Sequence, residues 1–134
     1  MTRAARCPDP DPDFGAVSRA QLDRVREDVG PRTLRHYVGV YLELLPVRLD
    51  RIERAIAAAD PAEAVRVMFD LRASSAMLGA RRLAALVSTL ESTLRIGMPV
   101  GPEQLAVLRA EARAVAGALR GLPGGDSLGR SGPD

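Results

Sequence analysis

Between residues 31 and 59 the apolar positions Leu34, Val38, Tyr41, Leu42, Leu45, Leu49, Ile52 and Ile56 recur at steps of three and four. That spacing lays one apolar stripe along one side of an α-helix, and it predicts a long helix from Pro31 to Ala59. Pro46 falls inside it and should kink rather than end it, because the stripe keeps phase on both sides. Upstream, Ser18 can cap a short helix from Ser18 to Asp28 that stops at "VGPR". Downstream, "DPAE" is a helix start: Asp60 caps, Pro61 takes the first helical position, and Glu63 lies in the electropositive first turn. That helix should run to about Leu78, with Gly79 as the break. Leu83, Leu86, Val87, Leu90 and Leu94 mark the next helix, 80–96, which ends at "GMPVGP". Leu105, Leu108, Ala112, Val115 and Leu119 mark a last one over 102–119. No stretch alternates with the period of a strand. Short loops between long amphipathic helices make antiparallel neighbours, so the expected fold is all-α: an up-down antiparallel four-helix bundle with a short extra N-terminal helix.

The ends do not share this pattern. Residues 1–16 alternate proline with aspartate, and residues 121–134 are rich in glycine and proline. Both are expected to be disordered tails around a single bundle of residues 17–120. Composition agrees with helices packed through small and straight side chains, since tryptophan is absent and the apolar residues are mostly Ala, Leu and Val. Every basic residue other than His36 is arginine, yet the net charge is only +2. The signs alternate along the chain, as in "RLDRIER", which describes solvated helix faces rather than a one-sided nucleic-acid footprint. Cys7 is the single cysteine, so no intrachain disulfide can form. No apolar run reaches the length of a membrane span and no signal peptide is visible, which together suggest a cytoplasmic chain without membrane contact.

One helix raises a question of function. On the segment 64–78, Ala64, Met68, Leu71, Ser75 and Leu78 form a single arc that must face the core. Phe69 then falls roughly 140° from the centre of that arc, at about 100° per residue. Ala73 lies nearly opposite the core, and Ala76 and Met77 also point outward. An aromatic ring turned outward among small residues and a methionine suggests a partner surface.

The segment "FDLRASSAMLGA", Phe69 to Ala80, resembles the helix H-x-L-K-G-S-x-x-x-L-G-A of the histidine-containing phosphotransfer (HPt) family. Leu71, Arg72, Ser74, Leu78, Gly79, Ala80, Leu83, Leu90 and Glu91 fall at family-like positions or are conservative replacements. The mid-helix proline and the Asp-Pro step before the motif helix are similar too, so the resemblance spans about residues 18–119. It implies a signalling module of a two-component phosphorelay, with a response-regulator receiver domain or a histidine kinase as partner. It also places Phe69 where the family carries its phosphoacceptor histidine, and Ala73 where it carries a glycine. A phenyl ring has no nitrogen lone pair and cannot take a phosphoryl group, so the expected role is non-enzymatic binding without transfer.

The face expected to meet the partner is Phe69, Arg72, Ala73, Ala76 and Met77, with Arg66 and Asp70 beside it. Each has a plainer explanation. Phe69 can be a decayed position or a ring covered by a tail or a dimer partner; Arg72 can be a solvated helix arginine; Arg66 and Asp70 can be ordinary surface charges. His36 is the only histidine, hence the only other phosphoacceptor, but it lies opposite its helix's stripe in surroundings unlike a phosphotransfer site. Ser74 and Ser75 have no neighbouring base to make them nucleophiles, and one cysteine and one histidine form no metal cluster. No cofactor or metal is expected. A structural dimerisation bundle, or a regulator of some non-receiver protein, remains as an alternative role, and the chain can be a monomer or a weak dimer.

Overall fold

The computed structural model describes residues 15–122; Cys7 and most of both expected tails lie outside them. Five helices follow in order: α1 Arg19–Val29, α2 Pro31–Ala57, α3 Pro61–Met77, α4 Arg81–Arg95 and α5 Pro102–Arg120. There is no strand among the described residues. Each boundary lies within about two residues of its sequence expectation, a spread common at fraying helix ends. The starts are set by local chemistry. Ser18 Oγ accepts from the Gln21 amide at 3.1 Å, and Asp60 Oδ1 accepts from the Glu63 amide at 3.2 Å. At α5 the Gly101 amide donates to Gln104 Oε1 at 2.8 Å.

Side-chain bridges show the antiparallel arrangement of neighbours. Late α2 meets early α3 through Arg51 and Glu63 at 3.2 Å, while earlier α2 meets late α3 through the Tyr41 and Ser75 hydroxyls at 2.8 Å. Arg72 on α3 reaches Glu91 on α4, Arg82 on α4 reaches Glu111 on α5, and Arg109 on α5 returns to Asp50 and Glu53 on α2. The ring of α2, α3, α4 and α5 encloses a core whose centre is Ile52, Met68, Leu71, Leu83, Leu90, Leu108 and Leu119. The α3 arc expected from the helix period is buried as a set: Ala64, Met68, Leu71 and Ser75, with Leu78 just beyond. α1 adds Leu22 to the same core, and Ala16, Val17 and Leu122 pack there too. Pro46 is accommodated inside a continuous α2.

Three helices end in the same turn. After α2, α3 and α4 a residue with positive φ reverses the chain, and the next amide bonds back five residues: Asp60 to the Ala55 carbonyl at 2.9 Å, Ala80 to Ser75 at 2.8 Å, Met98 to Thr93 at 3.0 Å. Gly79 and Gly97 supply the left-handed residue in two cases, but Ala59, at φ 56°, supplies it after α2. The sequence reading carried α2 on to Ala59; the turn ends it at Ala57. An alanine there holds a conformation that glycine adopts freely. Ala59→Gly should therefore stabilise the fold by about 0.5–1 kcal/mol, the relieved strain being partly offset by a freer unfolded chain. Equilibrium urea unfolding would measure this; a lower midpoint for the variant would contradict it.

The buried Tyr41 hydroxyl gives the fold an alkaline limit. Burial raises its pKa above the ordinary 10.0, outweighing the Ser75 hydrogen bond and the Arg48 charge, which both favour ionisation. A raised folded-state value means this stability is whole below about pH 10 and is lost as pH climbs through that value. Lysine is absent from the chain, so few other groups titrate there. Tyr41→Phe should cost about 1–2 kcal/mol at neutral pH, by leaving Ser75 without its partner, and should flatten the decline above pH 10. A pair of pH-dependent denaturation series would test this.

Candidate functional site

The outward face of α3 is built by the same period that buries its opposite side. Phe69 keeps 51% of its surface and Met77 keeps 38%. Arg66, Asp70, Ala73 and Ala76 are exposed beside them. The sequence-derived residues thus lie together on one helix face, with Arg72 at its α4 edge. About half of the Phe69 surface remains open to solvent among the described residues.

Arg72 differs from the solvated arginine offered as one explanation. Its Nε donates to Glu91 Oε1 at 2.5 Å and its Nη2 to Oε2 at 3.5 Å, while its guanidinium lies 5.1 Å from the Phe69 ring centroid. The hydrogen bond and charge of Glu91 raise the Arg72 pKa further above its usual value, so the guanidinium is permanently charged. Glu91 itself is only 3% exposed, with Arg95 on its other side at 3.8 Å. A buried carboxylate on α4 therefore anchors the cation, and the cation braces the aromatic ring.

Arg66 is also engaged. It bonds to Glu63, which Arg51 joins from α2, and the Arg66 hydrogen bond is the main reason that the Glu63 carboxyl titrates below its normal range. Ser74 donates to the Asp70 carbonyl at 2.9 Å and accepts from Arg48 Nη1 at 3.1 Å. Ser75 is held in the core by Tyr41. Both serines thus have structural partners, in keeping with the case against a nucleophile. His36 is exposed on α2. Among the described residues no cluster of His, Cys, Asp and Glu could hold a metal ion, and no helix is long and apolar enough to cross a membrane.

Sequence reasoning noticed Glu91 only as a position in a pattern. A stronger signal was present: Glu91 is a charged residue beside Leu90, four residues after Val87, inside the apolar stripe of α4. A carboxylate there must find a cation from a neighbouring helix. The pairing makes a directional prediction. Arg72→Ala leaves a buried carboxylate with only the more distant Arg95 and should lower the melting temperature more than Glu91→Gln, while adding Glu91→Leu to Arg72→Ala should restore part of the loss. Thermal melts of the three variants decide it, and equal losses for the two single changes would remove the anchor role.

The architecture that carries this site is an antiparallel ring of four helices, α2 to α5, with the outer face of α3 turned to solvent. The sequence carries a family assignment: the Hpt domain family model matches residues 36–118, covering nearly all of α2 through α5 and leaving α1 outside. The chain belongs to the Hpt domain family, whose members are phosphorelay signalling modules that work with response regulators and kinases. No significant match is found among curated proteins or solved structures.

Proposed function

We propose that this Hpt-family bundle binds a response-regulator receiver domain or a histidine kinase through the outer face of α3 and passes on no phosphate through that face. The observation that carries this is Phe69: an exposed ring at the motif position of the phosphoacceptor, braced by Arg72. The ring offers apolar contact and no lone pair, so it can dock but cannot accept a phosphoryl group. Ala73 and Ala76 extend the surface with small side chains and Met77 with a flexible apolar one, and Arg66 and Asp70 stand at its border. The interaction is of the weak, transient kind, with one aromatic anchor at its centre. Its effect is to sequester or scaffold a component of a two-component pathway in the cytoplasm, with residues 17–120 as the working module and no cofactor required.

Titration of the isotope-labelled protein with receiver domains from the same genome, unphosphorylated and activated, tests the surface. Amide shifts centred on Phe69, Ala73 and Met77 are the expected result; shifts confined to other helices, or none with any receiver or kinase, would overturn it. The absence of transfer is tested separately, by incubation with a phosphorylated receiver. Wild type should gain no acid-labile phosphate, and phosphate on His36 would establish an active relay instead. Phe69→His combined with Ala73→Gly should create an acceptor, because it returns both the imidazole and the small neighbour to the motif.

A further inference from the structure

The three most exposed large apolar side chains among the described residues lie away from α3. Ile96 at the end of α4 keeps 75% of its surface, Val107 on α5 keeps 55%, and Met98 between the two helices keeps 54%. The helix period gathers them on one strip. Arg82, Leu86, Thr89, Thr93 and Ile96 recur at steps of four and three, so they share one side of α4. Gln104, Val107 and Glu111 do the same on α5. The ion pair between Arg82 and Glu111, at 3.2 Å, joins the two stripes along one seam. Since the helices are antiparallel, Val107 stands level with Leu86, one turn along from that pair. Ile96 lies about 15 Å further on, at ten residues and about 1.5 Å each, with Met98 just beyond.

This strip can be covered at little cost. Between the Arg82–Glu111 pair and Met98 its two stripes hold no charged side chain, and Glu103 stands on the outer border. Thr89 donates to the Ala85 carbonyl at 3.2 Å and Thr93 to the Thr89 carbonyl at 3.0 Å. Both hydroxyl protons therefore keep a partner when water leaves. A second copy of the chain suits such a surface. A two-fold axis across the middle of the strip, at right angles to the helices, sets the copies antiparallel. Leu86 then meets Ile96 of the other copy and Val107 meets its Met98, twice over. The Arg82–Glu111 pair, neutral as a unit, falls at each end. The same operation on the α2–α5 groove would set the exposed Arg113 against Arg120 of the other copy, like charge on like.

We propose that the α4–α5 strip joins two copies of this chain in a weak antiparallel homodimer. The strip is about 25 Å long and two helices, about 20 Å, wide, so the pair buries about 1,000 Å² in total, at the low end of specific interfaces. Glu103 on the border approaches its own counterpart, which weakens the pair further. Both α3 faces stay outside the contact, so the dimer is independent of what binds there.

Sedimentation equilibrium of the whole chain tests this, with reductant present so that Cys7 cannot link copies. The average mass should rise from one chain toward two between micromolar and millimolar concentration. Val107→Asp and Ile96→Asp should each weaken association by tenfold or more, with unchanged circular dichroism because both positions are exposed. Met98→Asp replaces either one that loses helicity. Phe69→Asp should leave the association as it is. The pairing is read by disulfide trapping in a Cys7→Ser background: a Val107→Cys chain should link to a Met98→Cys chain in preference to its own kind. A monomer at every concentration, a dimer that withstands the aspartates, or one that Phe69→Asp dissociates would overturn the interface. Equal trapping of like and unlike chains would overturn the antiparallel arrangement.

Discussion

Gly79→Ala should destabilise the protein by about 2–4 kcal/mol, the largest loss expected from adding a single methyl group anywhere in the described chain. Two separate effects combine there. Gly79 has φ 84°, a left-handed conformation that costs an alanine about 1–2 kcal/mol. A Cβ at this position would also meet the Ser18 carbonyl oxygen at 3.0 Å, Gln21 Cβ at 3.1 Å and the Ser18 nitrogen at 3.2 Å. The nearest obstacles are backbone, tied in place by the Ser18–Gly79 hydrogen bond and the Gln21 side-chain bond to the Met77 carbonyl, so they cannot swing aside cheaply. Gly30 provides the control. Its φ is 92°, but a Cβ there would meet nothing within 4 Å, so Gly30→Ala should show the backbone effect alone. Urea unfolding of the two variants measures the difference. Equal losses would mean that the approach of the N-terminal segment to Gly79 contributes nothing to stability.

The second large effect is functional. Phe69→Ala should weaken the proposed partner complex by tenfold or more, about 1.4–2 kcal/mol, as expected for removal of a central aromatic anchor. Its effect on stability should stay within about 0.5 kcal/mol, because the ring is half exposed and the α3 core arc lies on the opposite side. The separation of these two outcomes is what makes the variant informative. A ring retained only as a remnant would change neither affinity nor fold; a ring that seals a dimer would change the oligomeric state seen by light scattering. Arg72→Ala is a poorer test of binding, because it also leaves Glu91 with only the more distant Arg95 and so disturbs the α3–α4 contact.

Helices, their order and their buried faces were readable from the chain because each depends on neighbours in sequence. Ser18, Asp60, Pro61 and Gly79 act within one turn of where they stand, and the 3.6-residue period sends Met68 and Leu71 inward and Phe69 outward whatever packs beside them. The candidate face was legible for the same reason: Phe69, Ala73, Ala76 and Met77 share one side of one helix. The end of α2 was misread by two residues because a left-handed alanine leaves no mark in composition, unlike a glycine.

What lay beyond the sequence were relations between helices. Whether Arg72 faces water or Glu91 depends on the rotation of α4 against α3, and no local pattern carries that angle. The short α4 edge of the site, with cation, carboxylate and ring in line, exists only once those two helices are docked. The same holds for the seam between α2 and α5, where Pro46, Gly117 and two exposed arginines come from segments some 70 residues apart. Local periodicity determined which residues are inside and which are outside, since each helix turns by a fixed angle per residue. Only tertiary packing decided which outward residues stand together, since that follows from side-chain interlocking between helices distant in the chain.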